Sequence, residues 1–141
     1  MDDMTEVIIK NEFDFLYDKS ILEEVEFIGL INKQGKMENI IFKNEINLTK
    51  ERKEMFSMAH RLQNSMQNDF DYEFGLVRYT IIDRENARFV SMPTHLGILL
   101  AKLKKTVDPF VFVNKITHMM NSSKVLFKVV ECAYLSDKEL T

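Results

Sequence analysis

The stretch VEFIGLINKQGKMENIIF, residues 25–42, decides the fold of this chain. Nearly every position in 25–31 is apolar or glycine, which predicts a central strand covered on both faces. A polar run follows, and Gly35 within it suits the positive φ that tight hairpin turns require. Residues 37–42 are predicted to return as the second strand. The fold therefore starts from an antiparallel hairpin.

Amphipathic patterns on both sides of this hairpin predict helices. Segment 11–24 repeats apolar residues at three- and four-residue steps, which indicates a first helix. Asn47 or Thr49 can cap a long helix that ends near Asn68. Asp108 and Pro109 then start a last helix. Its predicted apolar face consists of Phe110, Val113, Ile116 and Met120.

Three further strands are predicted between the long helix and the last one. Residues 76–82 and 87–92 alternate across the charged turn 83–86, Pro93 ends the second strand, and 98–104 form the third. Because the strands follow one another in hairpins, we expect an α+β fold: an antiparallel five-stranded sheet flanked by helices, in the order α-β-β-α-β-β-β-α. Residues 124–135 fit a sixth strand or a helix, and we favour the strand.

The composition describes an ordinary globular chain with one domain. We expect 141 residues to form a single domain, with its core at about 11–120 and a C-terminal extension at 121–141. The 45% hydrophobic content argues against a mainly disordered chain, while the short apolar runs argue against a membrane span. The acidic N-terminus and the single cysteine, Cys132, predict a cytoplasmic protein. A net charge of −3 disfavours nucleic acid as a partner.

No arrangement of residues in the sequence points to catalysis. His60, His95 and His118 lack the spacing of a metal site, and Cys132 has no local activating group. The isolated glycines form no phosphate-binding loop. We therefore predict no enzyme activity, no metal and no cofactor. His60 and His118 are expected to be solvated or helix-capping.

A methionine-rich stripe on the long helix leaves two interpretations open. Methionine fills ordinary cores, which is the interpretation we favour for this stripe, and it also serves adaptable interfaces. In the second interpretation the helix packs against its twin in another subunit. The candidate dimer interface then consists of Arg52, Met55, Ala59, Leu62 and Met66.

Basic residues alternate in the three-strand segment. If they share one face of the sheet, they form a candidate partner-binding face, although a solvated face that discourages edge pairing is the favoured interpretation. The residues concerned are Arg78, Arg88, Lys102 and Lys104. Aromatic side chains that could stack on bases are not interleaved with them, which again disfavours nucleic acid.

Four segments carry a resemblance to known families: FIGLINKQGKMENIIF, KERKEMFSMAHRLQNSMQNDFDYEFGLVRYTIIDREN, FVSMP and VDPFVFVNKI. Over residues 25–116 the chain resembles a family of small uncharacterised archaeal proteins, and the element order is similar to the profilin-like layout of roadblock (LC7) and longin domains. The resemblance implies a single roadblock-like domain that forms a homodimer and binds a protein partner such as a small GTPase. It transfers no catalytic residue.

These observations favour a non-enzymatic, dimeric regulatory or scaffold protein. A small-ligand sensor is the alternative from another class. Its candidate lining residues are Phe27, Tyr79, Phe89 and Leu99. A monomeric profilin-like binding module is the third hypothesis.

Overall fold

A computed structural model of the protein describes residues 12–44 and 46–121. A 3₁₀ turn, Asp14–Tyr17, precedes the regular elements. The helices are α1 (Lys19–Leu22), α2 (Lys50–Asn68), α3 (Asp71–Phe74) and α4 (Pro109–Asn121). The strands are β1 (Val25–Ile31), β2 (Met37–Phe42), β3 (Thr80–Asp83), β4 (Arg88–Thr94) and β5 (Gly97–Leu103). The predicted sixth strand and Cys132 lie outside the described residues.

The strands form one sheet in the order β2-β1-β5-β4-β3, and every neighbouring pair is antiparallel. The predicted α+β class, with a five-stranded antiparallel sheet flanked by helices, is confirmed for the described residues. Strand β1 pairs with β2 on one side and with β5 on the other, and all but one of its residues are buried. The central strand predicted from residues 25–31 is therefore correct.

The turn between β1 and β2 follows from two residues. The side-chain oxygen of Asn32 accepts hydrogen bonds from the backbone N–H groups of Gln34 and Lys36, at 3.0 Å each. Gly35 has a φ of 82°, where a residue without a Cβ is favoured. Local side-chain hydrogen bonds and one glycine thus fix the hairpin register.

The two faces of the sheet carry different cores. Helix α4 and the segment before β1 cover one face, where Leu16, Ile28 and Ile116 belong to the larger cluster of buried side chains. Helix α2 covers the other face, where Phe56 packs against a smaller cluster that includes Phe27 and Phe89. The α2 side therefore buries much less apolar surface than the α4 side.

The single first helix predicted for residues 11–24 is wrong. Asp18 has an extended backbone and separates the 3₁₀ turn from α1. Its carboxylate accepts hydrogen bonds from the N–H of Ser20 at 2.8 Å and from the Ser20 hydroxyl at 2.6 Å, which also lower its pKa. An aspartate that bonds its own backbone two residues on begins a new helix instead of continuing the old one.

The predicted bounds of β3 and β4 are also wrong. Strand β3 starts at Thr80 rather than at residue 76, and β4 continues through Pro93 to Thr94. Pairing between them stops at Thr80 and Ser91, so Pro93 keeps a partner only on the β5 side. Since proline has no N–H to donate, it interrupts the ladder with β3 without ending its own strand.

The predicted starts of the long helix α2 and of the last helix α4 are correct. The hydroxyl of Thr49 accepts from the N–H of Arg52 at 3.2 Å, and the carboxylate of Asp108 accepts from the N–H of Phe110 at 2.9 Å. The predicted apolar face of α4 was wrong at Phe110, which is 60% exposed. Phe112 is buried in its place, because the face that meets the sheet is offset by about half a turn from the first apolar residue of the helix.

Candidate functional site

Helix α2 contacts the sheet through one aromatic and two polar residues, while its methionine-rich stripe faces the solvent. Ser57 and His60 are its buried residues, and Phe56 is the half-buried aromatic beside them. Met55, Leu62 and Met66 are 58%, 56% and 68% exposed. The interpretation of the methionine stripe as core is therefore wrong. The stripe lies on the surface of the chain.

The exposed stripe has a regular and symmetric spacing. We call Met55, Ala59, Leu62 and Met66 the outer seam; they follow one another at steps of four, three and four residues. Such steps keep side chains on one line along a helix, as in the contact seam of paired helices. Arg52 and Asp69 stand three residues beyond its two ends. The series of steps is identical when read from either end.

Met58 differs from the other methionines of α2. Its side chain lies over the turn between β1 and β2, where a Cβ built on Gly35 would come within 2.6 Å of the Met58 methyl group. Met58 is correspondingly less exposed, at 40%. It belongs to the contact between α2 and the hairpin, not to the outer seam.

Exposed aromatic residues continue the apolar surface past the end of α2. Phe70, Tyr72 and Phe74 are 56%, 58% and 86% exposed. Their two-residue spacing among acidic residues resembles an ordinary turn, so the sequence pattern does not predict them as a site. Gly75, with a φ of 83°, ends the short helix α3 immediately afterwards.

His60 lies on the face of α2 that contacts the sheet, and it is buried there rather than solvated as predicted. Its ring lies 4.7 Å from that of Phe56 and 6.2 Å from that of Phe89, and the side chain is 8% exposed. Burial lowers the pKa of His60, and the nearby positive charge of Arg84 lowers it further. His118, by contrast, is exposed in the last turn of α4.

We expect His60 to make the fold less stable in acid. Its pKa is lower in the folded protein than in the unfolded chain, so below about pH 6.5 the unfolded chain binds more protons and stability falls. His60→Phe keeps an aromatic ring in the same place and removes the titration. Urea unfolding at pH 7.5 and pH 5.5 should show a smaller loss of stability for His60→Phe than for the wild type. A His60→Phe variant that loses as much stability as the wild type would mean that groups other than His60 control the acid sensitivity.

The four basic residues do not form one face. In the β4–β5 register Arg88 stands opposite Leu103 and Phe89 opposite Lys102, so Arg88 and Lys102 point to opposite sides of the sheet. Both are engaged: Arg88 binds Asp83 at 3.2 Å, and Lys102 binds Glu26 at 2.8 Å. The other two, Arg78 and Lys104, lie outside the strands. The candidate partner-binding face, which was the less favoured interpretation, is therefore not formed as one face.

The residues proposed to line a sensor pocket are also separated. Phe27 and Phe89 belong to the cluster under α2, whereas Leu99 belongs to the cluster under α4. Tyr79 is 39% exposed and precedes β3. A cavity shared by the four is therefore not formed.

Neither metal ligands nor a membrane helix were found in the described part of the chain. No group of three His, Cys, Asp or Glu side chains within residues 12–44 and 46–121 is placed to hold a metal ion. None of the helices described there combines the length and hydropathy that a membrane crossing needs. No protein-family model and no curated protein gave a significant match to this chain.

Proposed function

We propose that this protein is a non-enzymatic, homodimeric scaffold of the roadblock-like kind, which pairs through the outer seam of α2. The observation that supports the proposal is the exposure of that apolar seam. A surface helix of a monomer normally turns its apolar stripe toward the core, and this one turns it toward the solvent. A contiguous exposed apolar stripe is typical of a surface that another protein covers.

The symmetry of the seam makes a second copy of this chain the best occupant. In an antiparallel pair of α2 helices, Met55 lies against the partner's Met66, and Ala59 against the partner's Leu62. Arg52 then meets the partner's Asp69 at each end. A parallel pair would set arginine against arginine and aspartate against aspartate. Charge complementarity therefore favours the antiparallel arrangement around a two-fold axis.

The size of the seam predicts a dimer of moderate affinity. Full burial of a methionine or leucine side chain contributes about 1.5–3 kcal/mol. Two copies of the seam bring together six such side chains, Met55, Leu62 and Met66 from each chain. Because these side chains are already partly buried, together they contribute roughly 6–12 kcal/mol. Association costs about 4–15 kcal/mol in lost freedom of motion. The seam alone is thus close to balance, and the exposed aromatics next to it, Phe70 above all, supply further contact area.

The decisive experiment is size-exclusion chromatography with light scattering over a wide range of protein concentration. We expect a mass near twice 16.6 kDa that falls toward 16.6 kDa on dilution into the micromolar range. A mass of 16.6 kDa at every concentration would refute the dimer.

Reversal of the end charges tests the antiparallel geometry. Arg52→Asp alone, or Asp69→Arg alone, sets like charges together at both ends and should weaken the dimer by about tenfold, whereas the double variant should return within about threefold of the wild type. Sedimentation equilibrium at low salt measures the dissociation constants of the wild type and the three variants. In a parallel dimer neither single change would create a new repulsion, so an unchanged affinity in both single variants contradicts the antiparallel pair.

The partner of the dimer is proposed to be a regulatory protein such as a small GTPase. This step depends on the resemblance to roadblock domains, which describes a kind of platform and not a particular complex. Tagged wild-type protein and a seam variant, used as baits in the same lysate, would test it. We expect a GTPase to be enriched by the wild type, and recovery of no protein at all would argue against a scaffold.

A further inference from the structure

A groove lies between β2 and the first half of α2, on the opposite flank of the helix from the outer seam. Its volume is about 510 Å³, within the range of small-molecule sites, which is roughly 300–1,000 Å³. Met37, Phe42, Ile46 and Phe56 form its apolar lining. The groove is open to solvent, and the Phe42 side chain at its edge is 44% exposed.

The groove exists because α2 is anchored away from β2. The Phe56 ring packs at 5.2 Å on the ring of Phe89, which belongs to β4, whereas β2 is the edge strand on the other side of the sheet. The helix therefore covers the middle of the sheet and leaves the end of β2 open. There Met37 folds over Gly29, where a Cβ would come within 2.8 Å of the Met37 side chain. The apolar floor is thus a built feature of this edge.

Three lysines surround this apolar floor. The groove is lined by three exposed lysines: Lys36, immediately before β2, and Lys50 and Lys53 in the first turn of α2. None of their ammonium groups forms an ion pair with a carboxylate of the residues that the structure describes. Among the lining residues that the structure describes, Glu54 is the one acidic residue. Among the described lining residues, cations therefore exceed anions, although the chain as a whole carries a net charge of −3.

We propose that this groove binds a small amphipathic anion: one alkyl or acyl chain that ends in a carboxylate or a phosphate. The chain would lie on Met37, Ile46 and Phe56, and the head group would meet the ammonium groups of Lys50 and Lys53. An apolar lining with a few charged groups at its rim selects for this combination, because neither a free anion nor a neutral chain uses both parts. The outer seam points away from the groove, so the site stays open in the dimer.

Isothermal titration calorimetry with four probes tests the proposal: octyl phosphate, octanoate, octanol and inorganic phosphate. We expect octyl phosphate, octanoate or both to bind, and octanol and inorganic phosphate to bind at least about tenfold more weakly. Which of the two anions binds more tightly identifies the head group. No binding of either anion, or equal binding of octanol, would overturn the proposal.

Variants locate the bound probe. Lys50→Gln with Lys53→Gln should weaken binding by at least about fivefold, whereas Lys104→Gln with Lys105→Gln removes two exposed cations elsewhere and should leave it within about twofold. Ala59→Glu alters the seam and should also leave it unchanged. A loss of binding in Ala59→Glu would place the probe on the seam and refute the groove. If light scattering shows only monomers, the proposed dimer is refuted, but the titration still tests the groove, because the groove lies within one chain.

Discussion

Ala59→Glu is expected to convert the proposed dimer into monomers, with a dissociation constant raised by on the order of 100-fold or more. In the antiparallel pair Ala59 faces the partner's Leu62, and the two-fold axis brings two such contacts together near the middle of the seam. A carboxylate buried there without a partner costs about 3–5 kcal/mol. Light scattering across a dilution series measures the change.

The fold itself should tolerate Ala59→Glu. Ala59 is exposed in the single chain, and glutamate is a good helix former, so the free energy of unfolding of the monomer should change by less than about 0.5 kcal/mol. Gln67→Glu is the matched control, because it adds the same charge to an exposed position of α2 away from the seam. If Ala59→Glu stays dimeric, α2 is not the interface; if Gln67→Glu dissociates as readily, net charge and not the seam controls association.

Gly97→Ala should be among the most destabilising single substitutions, with a loss of about 3 kcal/mol. Gly97 starts β5 with a φ of 142°, a conformation that other residues rarely adopt. A Cβ there would come within 2.4 Å of the carbonyl oxygen of Ile31 at the end of β1. Because a backbone oxygen in a paired strand cannot move aside as a flexible side chain can, the substitution has to separate β5 from β1.

Gly75→Ala separates the cost of the backbone conformation from the cost of the contact with Ile31. Gly75 also has a positive φ, of 83°, but a Cβ there would meet no atom within 4 Å among the described residues. We therefore expect Gly75→Ala to cost about 1 kcal/mol, from backbone conformation alone. Urea unfolding of both variants gives the comparison. Equal losses would mean that the contact with Ile31 contributes nothing.

The sequence predicts the centre of this fold because its signals there are local and agree with one another. The β1–β2 hairpin depends on Asn32, Gly35 and a continuous apolar strand, all within 18 residues of chain. The prediction of a single first helix was wrong for an equally local reason, which the spacing of apolar residues does not show. Asp18 uses its carboxylate to hydrogen-bond Ser20, and that bond outweighs the helical spacing of the apolar residues around it.

The candidate sites were predicted less well, because they depend on which side of a helix or sheet each side chain faces. A period of 3.6 residues identifies the stripe from Met55 to Met66 but does not say whether it faces the sheet or the solvent. Here the orientation is set by Phe56 and His60, which pack on Phe89 of a strand that follows α2 in the chain. The candidate basic face has the same difficulty. Whether Arg88 and Lys102 share a side depends on the β4–β5 register, and composition does not fix it.

The pairing of β1 with β5 sets the order in which a newly made chain can complete its fold. The hairpin of β1 and β2 can close early, since its strands are neighbours in the chain. The other edge of β1 is filled by β5, which begins only at Gly97. During synthesis, one edge of the apolar strand β1 therefore stays unpaired until residues 97–103 have left the ribosome. An unpaired apolar strand edge favours aggregation, so this interval exposes the nascent chain to it.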